Sequence, residues 1–243
     1  MAYPNIKFQI SAKKDLETLR IFIREADERN LYWLIFNTYP RLIKYFDKKN
    51  DWKVLDDKAL RDFVIKNYKT RKGTMSRAMR GHKMRWLKVA PRYFELVDAL
   101  FAGRKWPRGK HIAFGTIWGM YPRFLEDKTF QIPFSHRTAG FVSVVIAHEM
   151  LHFMFYDYFY EHYPKYKRDE DNFFVWHISE IFNTLVQNSP EWLRCFKVKS
   201  LGYPEHKAIV SRLSRTWYRR TDWDLRALID EIVAEASTLN TSL

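Results

Sequence analysis

Apolar positions along the 243-residue chain recur at helical spacing over most of its length and form short strand-like runs in a few places. Residues 5–10 (NIKFQI) alternate and predict a short strand. Ser11 then stands as an N-cap for a helix over 12–29, in which Leu16, Leu19, Ile23 and Ala26 fall on one face. Residues 31–46 are helix-like up to an interruption near Pro40. Leu60, Phe63 and Val64 mark a helix over 56–68, which Gly73 is expected to break. Two more helices, 75–89 and 92–101, are predicted on either side of Pro91. The first hundred residues therefore read as mostly helical, with no internal repeat.

The pattern changes after residues 103–109 (GRKWPRG), where two Gly and a Pro make the clearest boundary in the chain. It divides a helical N-terminal region, 1–104, from a core over 105–243. Residues 111–118 and 128–134 are rich in β-branched and aromatic residues and predict strands. Pro133 cannot donate to a ladder, which points to an edge position for the second of them. An apolar helix over 141–155 comes next, then a turn-rich stretch, 163–172, and a second helix over 174–186 that ends before Pro190. Helical segments over 204–218 and 223–237 close an α+β chain.

Inside the first of the apolar helices the chain reads His148-Glu149-Met150-Leu151-His152. Residues four apart on a helix face the same way, so the two imidazoles can reach one metal ion, with Glu149 beside them as a base toward water. With eight His and thirteen Glu in the chain, chance alone would supply about 0.014 such motifs. Two imidazoles and a carboxylate in one apolar turn are costly to bury without partners. A catalytic zinc takes three protein ligands and keeps a fourth position for water, so a third ligand is expected elsewhere. The extended form of this motif that supplies a third His would need Gly at Phe155 and His at Tyr158, and neither is present. Glu180, in WHISEIFNTLV, lies 28 positions after His152, enough for a loop and an antiparallel return helix. It is the leading third ligand; His177, Asp157, Glu161 and His162 are the alternatives. For the donor that would stabilise an oxyanion, His177 comes first and Tyr158 and Tyr160 after it.

An edge strand, an HExxH helix and a second helix donating Glu together resemble the zincin metallopeptidases in their Glu-ligand, gluzincin branch. The likeness covers about residues 109–190 and rests on HEMLH and on SEIFN. It implies a zincin-like core, a Zn2+ ion on His148, His152 and Glu180, Glu149 as general base, a protein or peptide substrate, and pairing of that substrate with the strand at 128–134. Asn183, just after the Glu, makes the arrangement similar also to the ImmA/IrrE-type regulatory metallopeptidases. Ile181 and Phe182 stand where those have small residues, and Thr184 where larger gluzincins have Asp.

Charge adds a second theme. The formal net charge is +14, and from Lys66 to Arg92 the chain carries ten basic residues and no acidic one. Lys69, Arg71, Lys72, Arg77, Arg80, Lys83, Arg85 and Lys88 are the candidates for gripping nucleic-acid phosphates, with Tyr68 and Trp86 interleaved. A solvated helix face on a basic protein is the plainer explanation of the same run. Cys195 is the only cysteine, which excludes an intrachain disulfide and fits a reducing compartment. With no run of ~18 apolar residues and no apolar centre near the N-terminus, the expectation is a cytoplasmic protein.

Overall fold

A computed structural model describes residues 3–24, 32–50, 52–138, 140–167 and 173–239. The chain is α+β and separates into two compact units, each assembled from segments distant in sequence. One comprises Asn5–Met84 and Lys110–Arg137; the other comprises Met1–Pro4, Arg85–Gly109 and Thr138–Leu243.

The first of these units is built on a four-stranded mixed sheet. Its strands are β1 (Ile6–Ile10), β4 (His111–Thr116), β5 (Arg123–Phe124) and β6 (Thr129–Pro133), in the order β1-β4-β6-β5. β4 runs parallel to both β1 and β6, and β5 is antiparallel to β6. The expected edge position of residues 128–134 is therefore overturned. β6 has β4 on one side and β5 on the other, and all five of its residues are buried. Pro133 is the strand's last residue, where a missing donor interrupts the ladder least. Leu16, Leu19 and Ile23 of α1 (Ala12–Arg24) are buried with Leu60, Val64, Met75, Ile117 and Trp118, as the helical spacing predicts. Ala26 and the rest of that predicted helix lie outside the described residues. Among the described residues of the stretch 31–46, the α-helix is confined to α2 (Tyr32–Phe36), and Pro40–Tyr45 form a 3-10 turn. A two-residue antiparallel pair, β2 (Phe46–Asp47) with β3 (Lys53–Val54), is too short to leave a period in the sequence.

The three helices predicted over 56–101 are one, α3 (Asp57–Leu100). Gly73 and Pro91 were expected to break it, at costs of about 1 and 3 kcal/mol. Both are exposed, and Gly73 has nothing within 4 Å of where a Cβ would stand. The opposite face, through Val64, Tyr68, Met75, Met79, Trp86, Ala90, Tyr93 and Val97, is buried along the whole length. Burial at about 1.5–3 kcal/mol per large side chain outweighs the two local penalties.

The remaining helices belong to the second unit: α4 (Phe141–His162), α5 (Phe173–Gln187), α6 (Pro190–Phe196), α7 (Lys207–Trp217) and α8 (Leu225–Ala236). α4 runs seven residues beyond its predicted end at 155, because Phe159 and Tyr163 stack and extend the buried face. Pro190 starts α6 at a position where a helix has no use for an N–H. Asp224 caps α8 by accepting from the Ala227 N–H at 3.0 Å. No described helix is long and apolar enough to cross a membrane.

Candidate metal centre

α4 and α5 lie against each other as an antiparallel pair whose contacts descend one helix while climbing the other. Gln187 donates to the Val144 carbonyl, Asn183 to the His148 carbonyl at 2.9 Å, and Tyr156 meets Ser179 at 3.1 Å. Glu180, Asn183 and Gln187 stand at i, i+3 and i+7, so one face of α5 supplies all three. In this register Glu180 sits between the two histidines of α4. Its Oε2 is 3.0 Å from His148 Nε2 and its Oε1 is 3.3 Å from His152 Nε2. His148, His152 and Glu180 offer one ligand atom each, all within 4.8 Å of one another, and could hold a metal ion.

The protonation pattern fits a cation. His148 Nδ1 is 2.9 Å from Gln187 Oε1, and that amide is oriented by its own N–H bond to Val144. Nδ1 therefore carries the proton and donates, and Nε2 presents a lone pair toward a carboxylate oxygen. Two acceptors at 3.0 Å require a positive charge between them, either a proton or a metal ion. Burial opposes charge on His148, but the carboxylates of Glu180 and Glu149 raise its pKa overall. Burial likewise works against ionised Glu180, and the imidazoles of His152 and His148 hold its carboxyl well below the usual carboxylate range. The donor set, two imidazoles and one carboxylate, is one that zinc accepts. The second nitrogen of His148 has the oriented partner that metal-ligating histidines have.

Glu149 is buried on α4 beside His148. Among the described residues, the other proposed third ligands do not join this cluster. Asp157 and Glu161 both take hydrogen bonds from Arg104, and His162 Nδ1 is 2.8 Å from the Tyr158 carbonyl. His177 is buried on α5 with its Nδ1 2.7 Å from His206 Nε2. Tyr158 stacks on His162. Of the basic residues on α3, Lys69, Lys72, Arg77, Arg80, Lys83, Arg85 and Lys88 are exposed. Arg71 is half-buried and donates to the Tyr39 hydroxyl at 2.9 Å.

Sequence reasoning did not find Gln187, His206 or the close approach of Gly202. Gln187 was legible in principle, two turns after Glu180 on the same face. Residues 200–203 carry no periodic signal, and the helix predicted from 204 onward gives no hint that His206 meets α5. The segment 200–206 is held along α5 by Asn188, which bonds both the N–H and the carbonyl of Ser200 at 3.0 and 3.1 Å. A Cβ on Gly202 would stand 2.9 Å from Thr184 Cγ2. No protein-family model matches the chain, and neither a curated protein nor a solved structure matches it.

Proposed function

We propose that the chain is a zinc-dependent metallopeptidase with a zincin-like, Glu-ligand centre. The observation that carries this reading is the convergence of His148, His152 and Glu180 within 4.8 Å, with Glu149 next to the first ligand. A zinc ion bound there would polarise a substrate carbonyl and make a water acidic near neutral pH. Glu149 takes the proton of the attacking water and hands it to the leaving amine, a general-base contribution of about 10²–10⁴-fold. Gln187 keeps the His148 proton on Nδ1 and so keeps Nε2 available as a ligand. Asn183 ties the His148 carbonyl to α5 and fixes the register of the ligands. His177 is the donor assigned to the developing oxyanion. The test is Glu149→Gln, assayed on a mixed peptide library with zinc content measured alongside. The variant is expected to retain one zinc per chain and lose hydrolysis. A wild-type protein without stoichiometric metal would end this reading.

A second reading is carried by the exposure of the cations on α3. Lys66, Lys69, Arg77 and Arg80 fall within about 80° of one another around the axis, opposite the buried face. Such a row suits a polyanion, and nucleic acid is the partner it favours. Charge reversal at Arg77 and Arg80 should then weaken duplex binding and flatten its salt dependence. Wild-type protein that binds no nucleic acid at low salt would sink it.

A further inference from the structure

We infer that His206 is a positioning residue that fixes His177 in the tautomer with its proton on Nε2, making His177 a hydrogen-bond donor through that atom. The donor role toward a substrate oxygen rests on the peptidase reading above; the tautomer does not. The two rings are buried, with His177 Nδ1 2.7 Å from His206 Nε2. At that distance one nitrogen donates and the other accepts. Burial, followed by the nearby His177, lowers the His206 pKa to about 4, so its ring is neutral at pH 7 and holds a single N–H.

His206 Nδ1 decides which nitrogen has that hydrogen. It is buried without a hydrogen-bond partner among the described residues. A proton there would be a buried orphan N–H, which is rare and costly; a lone pair there is tolerated more readily. The proton therefore sits on Nε2 and is donated to His177 Nδ1. With its Nδ1 accepting, His177 carries its own proton on Nε2. This ring lies one turn before Glu180, about 60° around the axis of α5 and about 4.5 Å along it.

The pair is held in place from outside. His206 ends the segment 200–206, which Asn188 fastens at one end and Gly202 brings against Thr184. Trp176 packs on both imidazoles, with ring centroids 4.9 Å from His177 and 5.6 Å from His206. Tyr203 closes over Trp176 at 4.8 Å.

Long-range proton–nitrogen correlation spectra of the ¹⁵N-labelled full chain at pH 7 read both tautomers directly. Nε2–H is expected for His177 and for His206. An Nδ1–H or doubly protonated His177 overturns the inference. His206→Phe keeps ring bulk without a donor, and His206→Gln restores a donor. In the Phe variant His177 should become a tautomer mixture and kcat should fall roughly 10- to 100-fold, with zinc content and KM unchanged. The Gln variant should recover the Nε2–H signal and part of kcat. Equal kcat in wild type and both variants overturns the positioning role. If the spectra show Nε2–H and the wild type hydrolyses no peptide, the peptidase reading fails and takes the donor role with it, while the tautomer assignment stands.

Discussion

Each of the two compact units buries a carboxylate, and the two carboxylates live under opposite conditions. Asp15, on α1, is inaccessible to solvent, and the groups around it are neutral donors. Tyr68 donates at 2.8 Å, the Ile117 N–H at 3.0 Å and the Gln131 amide at 2.7 Å. Burial raises its pKa to about 6 against the pull of those bonds. Glu180 is 4 % exposed, but it faces two imidazole nitrogens and is held far below the ordinary range. Neutral donors closing on a carboxylate make an internal brace that ties α1 to α3, β6 and the end of β4. Ligand nitrogens converging on a carboxylate make a place for a cation. Depth of burial does not separate a brace from a site; the sign of the neighbours does.

The widest separation should come from removing each charge in turn. Glu180→Gln is expected to abolish stoichiometric zinc binding, measured by titration with a competing chelator. It should cost metal-free stability little, since the Glu180 carboxylate is what raises the His148 pKa against burial, and without it that imidazole can stay neutral. Asp15→Ala should do the reverse. It strands three donors and should cost about 2–5 kcal/mol in urea unfolding while zinc content stays at one per chain. A loss under about 1 kcal/mol would remove Asp15 from its role as a brace.

The pH dependence of the brace has a definite sign. The folded-state pKa of Asp15 is raised above its ordinary value, so between pH 4 and 6 the folded chain holds a proton that the unfolded chain has released. Its contribution to stability falls as pH rises through that window. Relative to Asp15→Asn, the wild type should lose about 2 kcal/mol of advantage from pH 4 to pH 7. A stability difference that grows with pH would contradict the assignment. On the metal side, Gln187→Ala should weaken zinc binding about 10- to 100-fold by releasing the His148 tautomer, without changing the ligand count. A loss of comparable size, about 1–3 kcal/mol in urea unfolding, is expected at Gly202→Ala, where the new methyl meets buried, β-branched Thr184.

These contrasts also explain what could be read from the chain alone. The candidate ligands were legible because the HExxH spacing and the buried turn around Glu180 are local features, each contained in one helix. Asp15 was not, since its partners Ile117 and Gln131 are about a hundred residues away and reach it only in the folded sheet. Gly73 and Pro91 misled for the same reason: local propensity gave breaks, and burial along the far face of α3 kept the helix whole. β6 looked like an edge strand because Pro133 was visible and the two-residue β5 was not. His206 stands 29 residues from its partner, and its place at the start of the predicted helix over 204–218 gives no sign of the pairing.

The most direct measurement is calorimetric titration of zinc into metal-free protein, run in parallel on wild type and His152→Ala. One site per chain is predicted for the wild type, with protons released to buffer as the imidazoles exchange their hydrogens for the metal, and none for the variant. Wild-type protein that takes up no zinc, or a variant that binds it as tightly, would contradict the metal centre on which the account depends.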